Sequence, residues 1–299
     1  MRVFVTGATG WIGLPVVKRL LRTGHQVLGL ARSDKGAEAL TALGAEVLRG
    51  SLQDLDSLKK GASESDGVIH LAFIHDFADY QGNCRTDRQA IETMGAVLAG
   101  SNRPLIITSG TLMLPFGRVA SEEDTPDLST PGGAARGPSE KVALSLVDQG
   151  VRAMVMRLPP TNHGDGDHGF IAMLVAIARE KGVSAYIGDG LNHWPAVHVL
   201  DTARAYQLAL DKGIAGSVYH AVAEEGVPIK SIAEVIGRHL DVPVVSKTLA
   251  EAQEHFGWLE FALTADNKAT SVITQEQLGW NPVEASLLDD LNKGTYFKA

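Results

Sequence analysis

The chain has 299 residues, of which 44% are hydrophobic, and it carries a formal net charge of -8 with a pI of about 5.7. This size suits one large domain or two interlocked lobes, and the acidic balance argues against nucleic acid or an anionic membrane as a partner. The single cysteine, Cys84, excludes an intramolecular disulfide, and no apolar run approaches membrane-spanning length. We therefore expect a soluble, cytoplasmic protein.

The first half of the chain alternates short apolar strands with amphipathic helices. The predicted strands are residues 2–6, 26–31, 46–48, 67–72, 104–108 and 152–158, and the predicted helices are 14–22, 35–43, 53–60, 87–98 and 138–148. Such alternation implies right-handed crossovers and a mostly parallel sheet with helices on both faces. The sequence therefore predicts an α/β fold built on a doubly wound parallel sheet of the Rossmann type.

The second half has a mixed pattern. Helices are predicted near 169–181, 201–212, 228–240 and 248–256, and strands near 185–187 and 217–220. We expect a dinucleotide-binding domain over 1–160 and a smaller C-terminal substrate-binding lobe over 161–299, partly interleaved with it. Between the fifth and sixth strands, residues 111–136 are rich in Pro, Gly, Ser and acidic residues, which predicts a functional or mobile loop.

A glycine-rich turn, GATGWIG at residues 7–13, joins the first strand to the first helix. In this setting Gly7 permits the tight turn, Gly10 lets main-chain N–H groups approach a diphosphate, and Gly13 lets the helix pack close to the strand. The helix N-terminus adds the positive end of its dipole. The predicted cofactor-binding residues of this turn are Gly7, Thr9, Gly10, Trp11, Ile12 and Gly13.

The end of the second strand bears on the choice of cofactor. An acidic residue there would bind the ribose hydroxyls and repel a 2′-phosphate, but the strand ends in Arg32 and Ser33. A guanidinium and a hydroxyl suit a 2′-phosphate, although Asp34 follows directly. These residues favour NADP over NAD.

Three further segments carry a family resemblance: RLPPTNHG at 157–164, AVHVLDTARAYQLAL at 196–210, and LGW at 278–280 followed by Asn-Pro. Together with the glycine turn they resemble the short-chain dehydrogenase/reductase superfamily, most closely its extended and atypical branches, the NAD-dependent epimerase/dehydratase proteins. The resemblance implies hydride transfer with a nicotinamide cofactor. It also implies cofactor contacts by Leu71, Ala72, Pro160 and Thr161, and homodimers are common in that superfamily.

The catalytic tetrad of that superfamily is Asn, Ser or Thr, Tyr and Lys. By the resemblance, Lys141 matches the lysine that binds the nicotinamide ribose, Ser109 or Thr111 matches the hydroxyl donor, and Asp87 replaces the asparagine. Gly137 stands four residues before Lys141, where the tyrosine is expected. Another group must therefore handle the proton of a hydride transfer.

The segment after the fourth strand offers proton donors at the carboxyl edge of the sheet. His75 can titrate near neutrality, and Asp76 beside it could raise the pKa of the imidazole. Tyr80 follows on the same segment, and water is a further candidate. The histidines do not show the helical spacing of a zinc site, so no metal is expected.

Three functions stay open from the sequence. The favoured one is an NADP-dependent oxidoreductase that interconverts a small carbonyl compound and its alcohol. A sugar-nucleotide epimerase or dehydratase is the second, and it would need basic side chains for the substrate diphosphate, for which Arg179, Lys181 and Arg204 are the candidates. The third is a non-catalytic NADP-binding sensor, which Gly137 favours and Lys141 opposes.

Overall fold

The computed structural model describes residues 1–298, apart from the side chain of Phe77. The strands are, in chain order, β1 (Arg2–Thr6), β2 (Gln26–Ala31), β3 (Glu46–Arg49), β4 (Gly67–His70), β5 (Pro104–Gly110), β6 (Val119–Ala120), β7 (Arg152–Leu158), β8 (Thr161–His163), β9 (Ser184–Ile187), β10 (His193–His198), β11 (Val218–His220), β12 (Glu224–Pro228), β13 (Val244–Lys247) and β14 (Lys268–Ala269).

The α-helices are α1 (Gly13–Arg22), α2 (Asp34–Ala42), α3 (Leu55–Ser63), α4 (Tyr80–Leu98), α5 (Pro131–Ser145), α6 (Phe170–Lys181), α7 (Val199–Lys212), α8 (Ile229–Leu240), α9 (Leu249–Phe256), α10 (Glu260–Leu263), α11 (Val272–Leu278) and α12 (Leu287–Lys293). Short 3₁₀ turns cover Phe77–Asp79, Thr111–Met113, Leu146–Gln149 and Gly257–Leu259. Within residues 1–298, none of the helices combines the length and the apolar character needed to cross a membrane.

Seven strands form one large parallel sheet in the order β11-β7-β5-β4-β1-β2-β3. The order of the strands along the chain reverses between β1 and β4. In open parallel sheets, ligands bind in the crevice outside the carboxyl ends of the strands at such a reversal. The predicted doubly wound Rossmann sheet is confirmed, and the crevice lies where the glycine turn follows β1.

Alternate residues of β1 face opposite sides of the sheet. Val3 and Val5 belong to the core shared with α1 and α7, whereas Phe4 belongs to the core shared with α3, α4 and α5. All three side chains are fully buried, as expected for a strand covered on both faces. The large sheet and the helices on its two faces thus form three layers, with the sheet in the middle.

The rest of the chain forms a smaller lobe around a three-stranded sheet, β12-β10-β8, and a β13-β9 pair. Its core includes the fully buried Trp194 and apolar residues of α6, α8, α9 and α12. The chain leaves the large sheet after β7 and returns to it with β11.

The prediction was wrong about the start of α5. The helix begins at Pro131, not Pro138, so the last part of the predicted loop over 111–136 is helical. Glycine and proline inside a helix disfavour it, which is why the pattern indicated a loop. Packing outweighs that preference, since Gly133 and Gly137 lie so close to residues 126–128 that a Cβ at either position would fall within 3.0 Å of them.

Candidate active site

The turn between β1 and α1 has no room for side chains at its first and last glycines. Gly7 adopts a φ of 66°, and a Cβ there would lie 2.7 Å from the nitrogen of Ala72. A Cβ on Gly13 would lie 2.0 Å from the carbonyl oxygen of Gly7, and the Gly10 N–H donates to the same oxygen at 3.0 Å. The main chain therefore turns tightly below the N-terminus of α1, a geometry suited to an anion.

The ends of β1 and β4 are tied together beside this turn. Thr6 Oγ1 and His70 Nδ1 lie 2.7 Å apart, and the N–H of Ala72 donates to Thr6 Oγ1 at 3.3 Å. A Cβ on Gly7 would also lie 2.8 Å from the carbonyl carbon of Leu71. The structure thus places Leu71 and Ala72 directly against the glycine turn, as a role in cofactor binding requires.

The side chains of Thr9, Trp11 and Ile12 contact residues outside the glycine turn. The indole of Trp11 packs edge-on against His168, with ring centroids 6.0 Å apart, and its Nε1 is buried without a hydrogen-bond partner in the described part of the chain. Thr9 lies against the start of α2, because a Cβ on Gly36 would be 3.0 Å from its methyl carbon. Ile12 packs against the core under α1.

The ends of β2 and β3 carry two arginines and one carboxylate. Arg32 is exposed, and Arg49 donates to the Arg32 carbonyl at 3.4 Å and pairs with Asp34 at 3.0 Å. Ser33 caps α2, since its Oγ accepts from the Gly36 N–H at 3.2 Å. Because Asp34 pairs with Arg49, it does not neutralise the charge of Arg32 at the ends of β2 and β3.

The two positions of the predicted motif, Gly137 and Lys141, lie one turn apart on α5. Lys141 is exposed, and the position one turn before it, Gly137, faces Pro126 and Leu128. A Cβ on Gly137 would lie 2.9 Å from Pro126 Cβ, so a tyrosine would not fit there. The catalytic and ribose-binding roles of Lys141 stay predictions. Arg136 and Glu140, also one turn apart, occupy the side of α5 that faces the sheet.

Glu140 is 2% exposed and belongs to a buried ion pair. Arg157 donates to it twice, from Nε at 3.0 Å and from Nη2 at 2.7 Å, and Arg157 Nη1 lies 3.2 Å from His220 Nε2. The Ser109 hydroxyl donates to Glu140 at 2.5 Å. Since this hydrogen is directed at Glu140, Ser109 in this arrangement can accept a hydrogen bond from a ligand but cannot donate one to a substrate oxygen.

The Thr111 hydroxyl, like that of Ser109, donates its hydrogen to another side chain. Its Oγ1 donates to Asn267 Oδ1 at 2.8 Å, and Asn267 Nδ2 donates to the Thr111 carbonyl at 3.0 Å. Both residues are fully buried. Thr111 therefore ties the end of β5 to the C-terminal part of the chain, and its geometry does not support the predicted role as a donor to the substrate.

Asp87 lies on α4 at the centre of a buried polar chain. It accepts from Ser139 Oγ at 2.7 Å and bonds to His70 Nε2 at 3.3 Å. Burial acts to raise the pKa of the Asp87 carboxyl, but the His70 hydrogen bond and the nearby charge of Arg136 outweigh it, and the pKa lies below the ordinary value. Asp87 is a fixed negative charge behind the edge of the sheet.

Aromatic and basic side chains meet at the carboxyl end of β4, and we call Phe73, His75, Tyr80 and Arg136 the edge cluster. The guanidinium carbon of Arg136 lies 4.1 Å from the centre of the Phe73 ring. The rings of His75 and Tyr80 pack edge-on against Phe73, with centroids 5.3 Å and 6.0 Å away. Sequence reasoning identified His75 and Tyr80 but missed Arg136, which was assigned to a loop.

The protonation states in the edge cluster follow from burial and from Arg136. Burial, and then the Arg136 charge, lower the pKa of His75 below 6.5. Burial raises the pKa of Tyr80 to about 12, against the opposing effect of Arg136. At neutral pH, Tyr80 is a protonated phenol and His75 is a neutral imidazole.

The remaining predicted residues follow β7. Pro160 is half-buried between β7 and β8, and Thr161 is buried, with its hydroxyl donating to the carbonyl of Pro195. That hydroxyl is therefore committed to β10. Among the described residues, no group of three or more His, Cys, Asp or Glu side chains is arranged to hold a metal ion.

Comparison with known proteins places this geometry in context. The model of the NAD dependent epimerase/dehydratase family matches residues 3–222. An uncharacterised protein of Schizosaccharomyces pombe is 51% identical over 299 residues, covering 99% of this chain and all of that protein. A 4-hydroxy-2-methyl-3-oxo-4-farnesyl-3,4-dihydroquinoline-1-oxide ketoreductase of Stigmatella aurantiaca is 26% identical over 279 residues, covering 86% of this chain and 80% of that protein.

A solved structure extends the likeness to the whole fold. DesIV, a dTDP-glucose 4,6-dehydratase of Streptomyces venezuelae crystallised with NAD and TYD bound, superposes with a TM-score of 0.79 at 20% identity. The alignment covers 98% of this chain and 95% of that one. At this identity the likeness shows the shared fold alone.

Proposed function

This chain belongs to the NAD dependent epimerase/dehydratase family and is an NAD(P)-dependent oxidoreductase-like protein, and we propose that it uses NADP to interconvert a small carbonyl compound and its alcohol. The observation that carries the proposal is the glycine turn at the reversal of strand order. The turn is so tight that a Cβ on residue 13 would lie only 2.0 Å from the carbonyl oxygen of Gly7. A turn made of main chain alone lets N–H groups reach a diphosphate. The likeness to a ketoreductase supports carbonyl chemistry.

The preference for NADP rests on the corner at the ends of β2 and β3. The exposed Arg32 has a charge that Asp34 does not balance, because Asp34 pairs with Arg49. A guanidinium at this position suits a 2′-phosphate. Arg32→Gln is expected to weaken NADPH binding about tenfold and to leave NADH binding unchanged. Equal affinities of the wild-type protein for the two cofactors would contradict the preference.

The edge cluster supplies the groups that the substrate oxygen needs. A bound nicotinamide would supply a hydride to the carbonyl carbon, and the oxygen then gains a proton. Ser109 and Thr111 donate elsewhere, and Lys141 is exposed. We assign the proton to Tyr80, which is protonated at neutral pH because burial raises its pKa to about 12. His75 is the alternative donor.

The pH dependence separates the two donors. If the His75 imidazolium gave the proton, the rate of reduction would fall as the pH rose through the His75 pKa, which lies below 6.5. With Tyr80 as the donor, the rate stays level until the pH approaches about 12, or until another step or the fold fails.

The sugar-nucleotide alternative finds less support from the basic side chains it would need. Arg204 pairs with Asp201 at 2.8 Å and with Glu284 at 3.5 Å. Lys181 and Arg179 donate to main-chain carbonyls, of Glu254 and Phe297 respectively. Each of these cations is thus engaged within the protein and would have to leave its partner to bind a substrate diphosphate.

The test is a turnover assay with NADPH and NADH against ketones, aldehydes, oxo acids and nucleotide sugars. We expect NADPH oxidation with carbonyl compounds, and Tyr80→Phe should lower kcat at least about a hundredfold while NADPH still binds. Tyr219→Phe, which removes a hydroxyl on β11 at the edge of the sheet, is the matched control. Tight NADPH binding without turnover would indicate the sensor instead, and turnover of nucleotide sugars alone would indicate the epimerase or dehydratase.

A further inference from the structure

Arg136 is a half-buried cation without an ion-pair partner. Among the described residues no carboxylate lies within ion-pair distance of its guanidinium, and its Nε is buried without a hydrogen-bond partner. The contrast with Arg157 is direct, because that arginine donates twice to Glu140. A buried polar group without a partner costs free energy, which a ligand that supplies an acceptor would recover.

Neighbouring acids cannot neutralise Arg136 without breaking other bonds. The Glu140 carboxylate accepts from Arg157 and Ser109, and the Asp87 carboxylate accepts from Ser139 and His70. Both acids are buried. A carboxylate that pairs with Arg136 must therefore come from outside the described residues.

The guanidinium is held in place before any ligand arrives. Its Nη2 donates to the Thr108 carbonyl at 3.0 Å, and its Cζ lies over the Phe73 ring, 4.1 Å from the ring centre. A guanidinium fixed in this way loses little side-chain entropy when it binds a planar acceptor, and its remaining N–H groups match a carboxylate. Because no carboxylate of the described residues pairs with this guanidinium, its remaining N–H groups suit one carboxylate of a ligand.

The position of Arg136 links this charge to the reacting end of the site. It shares the edge cluster with Tyr80 and His75, and its charge acts to lower the pKa of both. Resting on the proposed reduction of a carbonyl group, we infer that Arg136 binds the carboxylate of the substrate, which is an oxo acid with its carbonyl one or two carbons away. The cluster then holds the carboxylate on Arg136 and presents the carbonyl oxygen to Tyr80.

The experiment uses phenylpyruvate and its uncharged methyl ester as probes. Calorimetric titration of NADP⁺ into the protein comes first, and each probe is then titrated into the NADP⁺-saturated protein, which has no hydride to transfer. We expect the acid to bind ten to a hundred times more tightly than the ester, because a charged hydrogen-bonded pair is lost with the ester. The same preference should appear in kcat/KM with NADPH.

Variants assign the preference to one side chain. Arg136→Met should abolish the difference between acid and ester, and Arg136→Lys should retain part of it. Arg22→Met is the control, because it removes an exposed arginine at the C-terminal end of α1, away from the glycine turn. It should leave the preference for the acid over the ester intact. Thermal unfolding of each variant shows whether the variant folds. If Arg136→Met does not fold, the partial loss of the preference in Arg136→Lys tests the inference.

The outcomes separate this inference from the proposed function. Failure of NADP⁺ to bind would remove the proposed function and the inference with it. Turnover of uncharged ketones with equal affinity for acid and ester, or with neither probe bound, would overturn the inference and leave the reductase intact. A preference for the acid that survives in Arg136→Met would also overturn it.

Discussion

Two stretches at the carboxyl edge of the sheet, the glycine turn at 7–13 and the α5 stretch at 136–140, are held in opposite ways. The turn is constrained by its own main chain, since Gly13 lies against Gly7 and Gly10 bonds to it. The α5 stretch is held by side chains whose partners on β5 and β7 are 17 to 31 residues away along the chain. Local constraint can be read from a short sequence pattern, whereas charge pairing across the fold cannot.

The largest expected effect is on the buried pair that holds α5. Glu140→Gln leaves Arg157 buried without a counter-charge, so the free energy of unfolding should fall by about 3–5 kcal/mol. Chemical denaturation monitored by circular dichroism measures this loss.

A double variant serves as the control for that prediction. In Glu140→Leu with Arg157→Met, both charges are gone and the site is apolar, so much of the loss should be recovered. A loss below about 1 kcal/mol in Glu140→Gln would show that the pair contributes little to holding α5.

The next effect tests the glycine turn itself. Gly13→Ala places a Cβ against the Gly7 carbonyl and must shift the turn, so NADPH affinity should fall at least about a hundredfold. Fluorescence titration measures the affinity. Gly24 lies at the far end of α1 with a φ of 86°, and a Cβ there would meet no atom within 4 Å. Gly24→Ala should therefore lower the stability of the fold without weakening NADPH binding. Unchanged affinity in Gly13→Ala would show that the turn does not hold the diphosphate.

Gly137 offers a smaller effect on the same helix as Arg136. A Cβ there would press on Pro126, whereas a Cβ on Gly132 meets nothing within 4 Å. Gly132→Ala should gain up to about 1 kcal/mol from helix propensity. Gly137→Ala gains the same propensity but overpacks, so it should be about 2 kcal/mol less stable than Gly132→Ala. Equal thermal stabilities would refute the packing explanation for the glycine at 137.

The smallest effect concerns the pH dependence of the Arg157 network. Burial, followed by the charge of Arg157, lowers the pKa of His220 to about 3 from 6.5. The unfolded chain therefore binds a proton below 6.5 that the folded protein does not take up, and stability falls as the pH falls. The first pH unit below 6.5 should cost about 1 kcal/mol in wild-type protein. His220→Gln should show a shallower fall, and identical pH profiles would exclude His220 as the cause.

The sequence predicted the large sheet well because its strands are continuous apolar runs between helices. β1, β2 and β7 begin and end where the pattern placed them. The start of α5 was missed although Thr130 and Pro131 are a helix-start signal, with Thr130 Oγ1 accepting from the Gly133 N–H. The glycines and Pro138 that follow outweighed this signal.

The late helix start left Arg136 outside the predicted helix. With α5 predicted to start at Pro138, Arg136 was assigned to a loop, and the role of Lys141 stays a prediction from the family resemblance. The groups that contact the Arg136 guanidinium, the Phe73 ring and the Thr108 carbonyl, lie in two other segments of the chain. They approach Arg136 only in the folded protein. A homodimer and a cytoplasmic location stay predictions from the sequence.

The most direct measurement is a crystal structure of the protein with NADPH. The account predicts the diphosphate on the main-chain N–H groups of residues 10–13, and the nicotinamide ring beside Phe73, Tyr80 and Arg136. A diphosphate bound elsewhere, or a nicotinamide ring that points away from those three side chains, would contradict it.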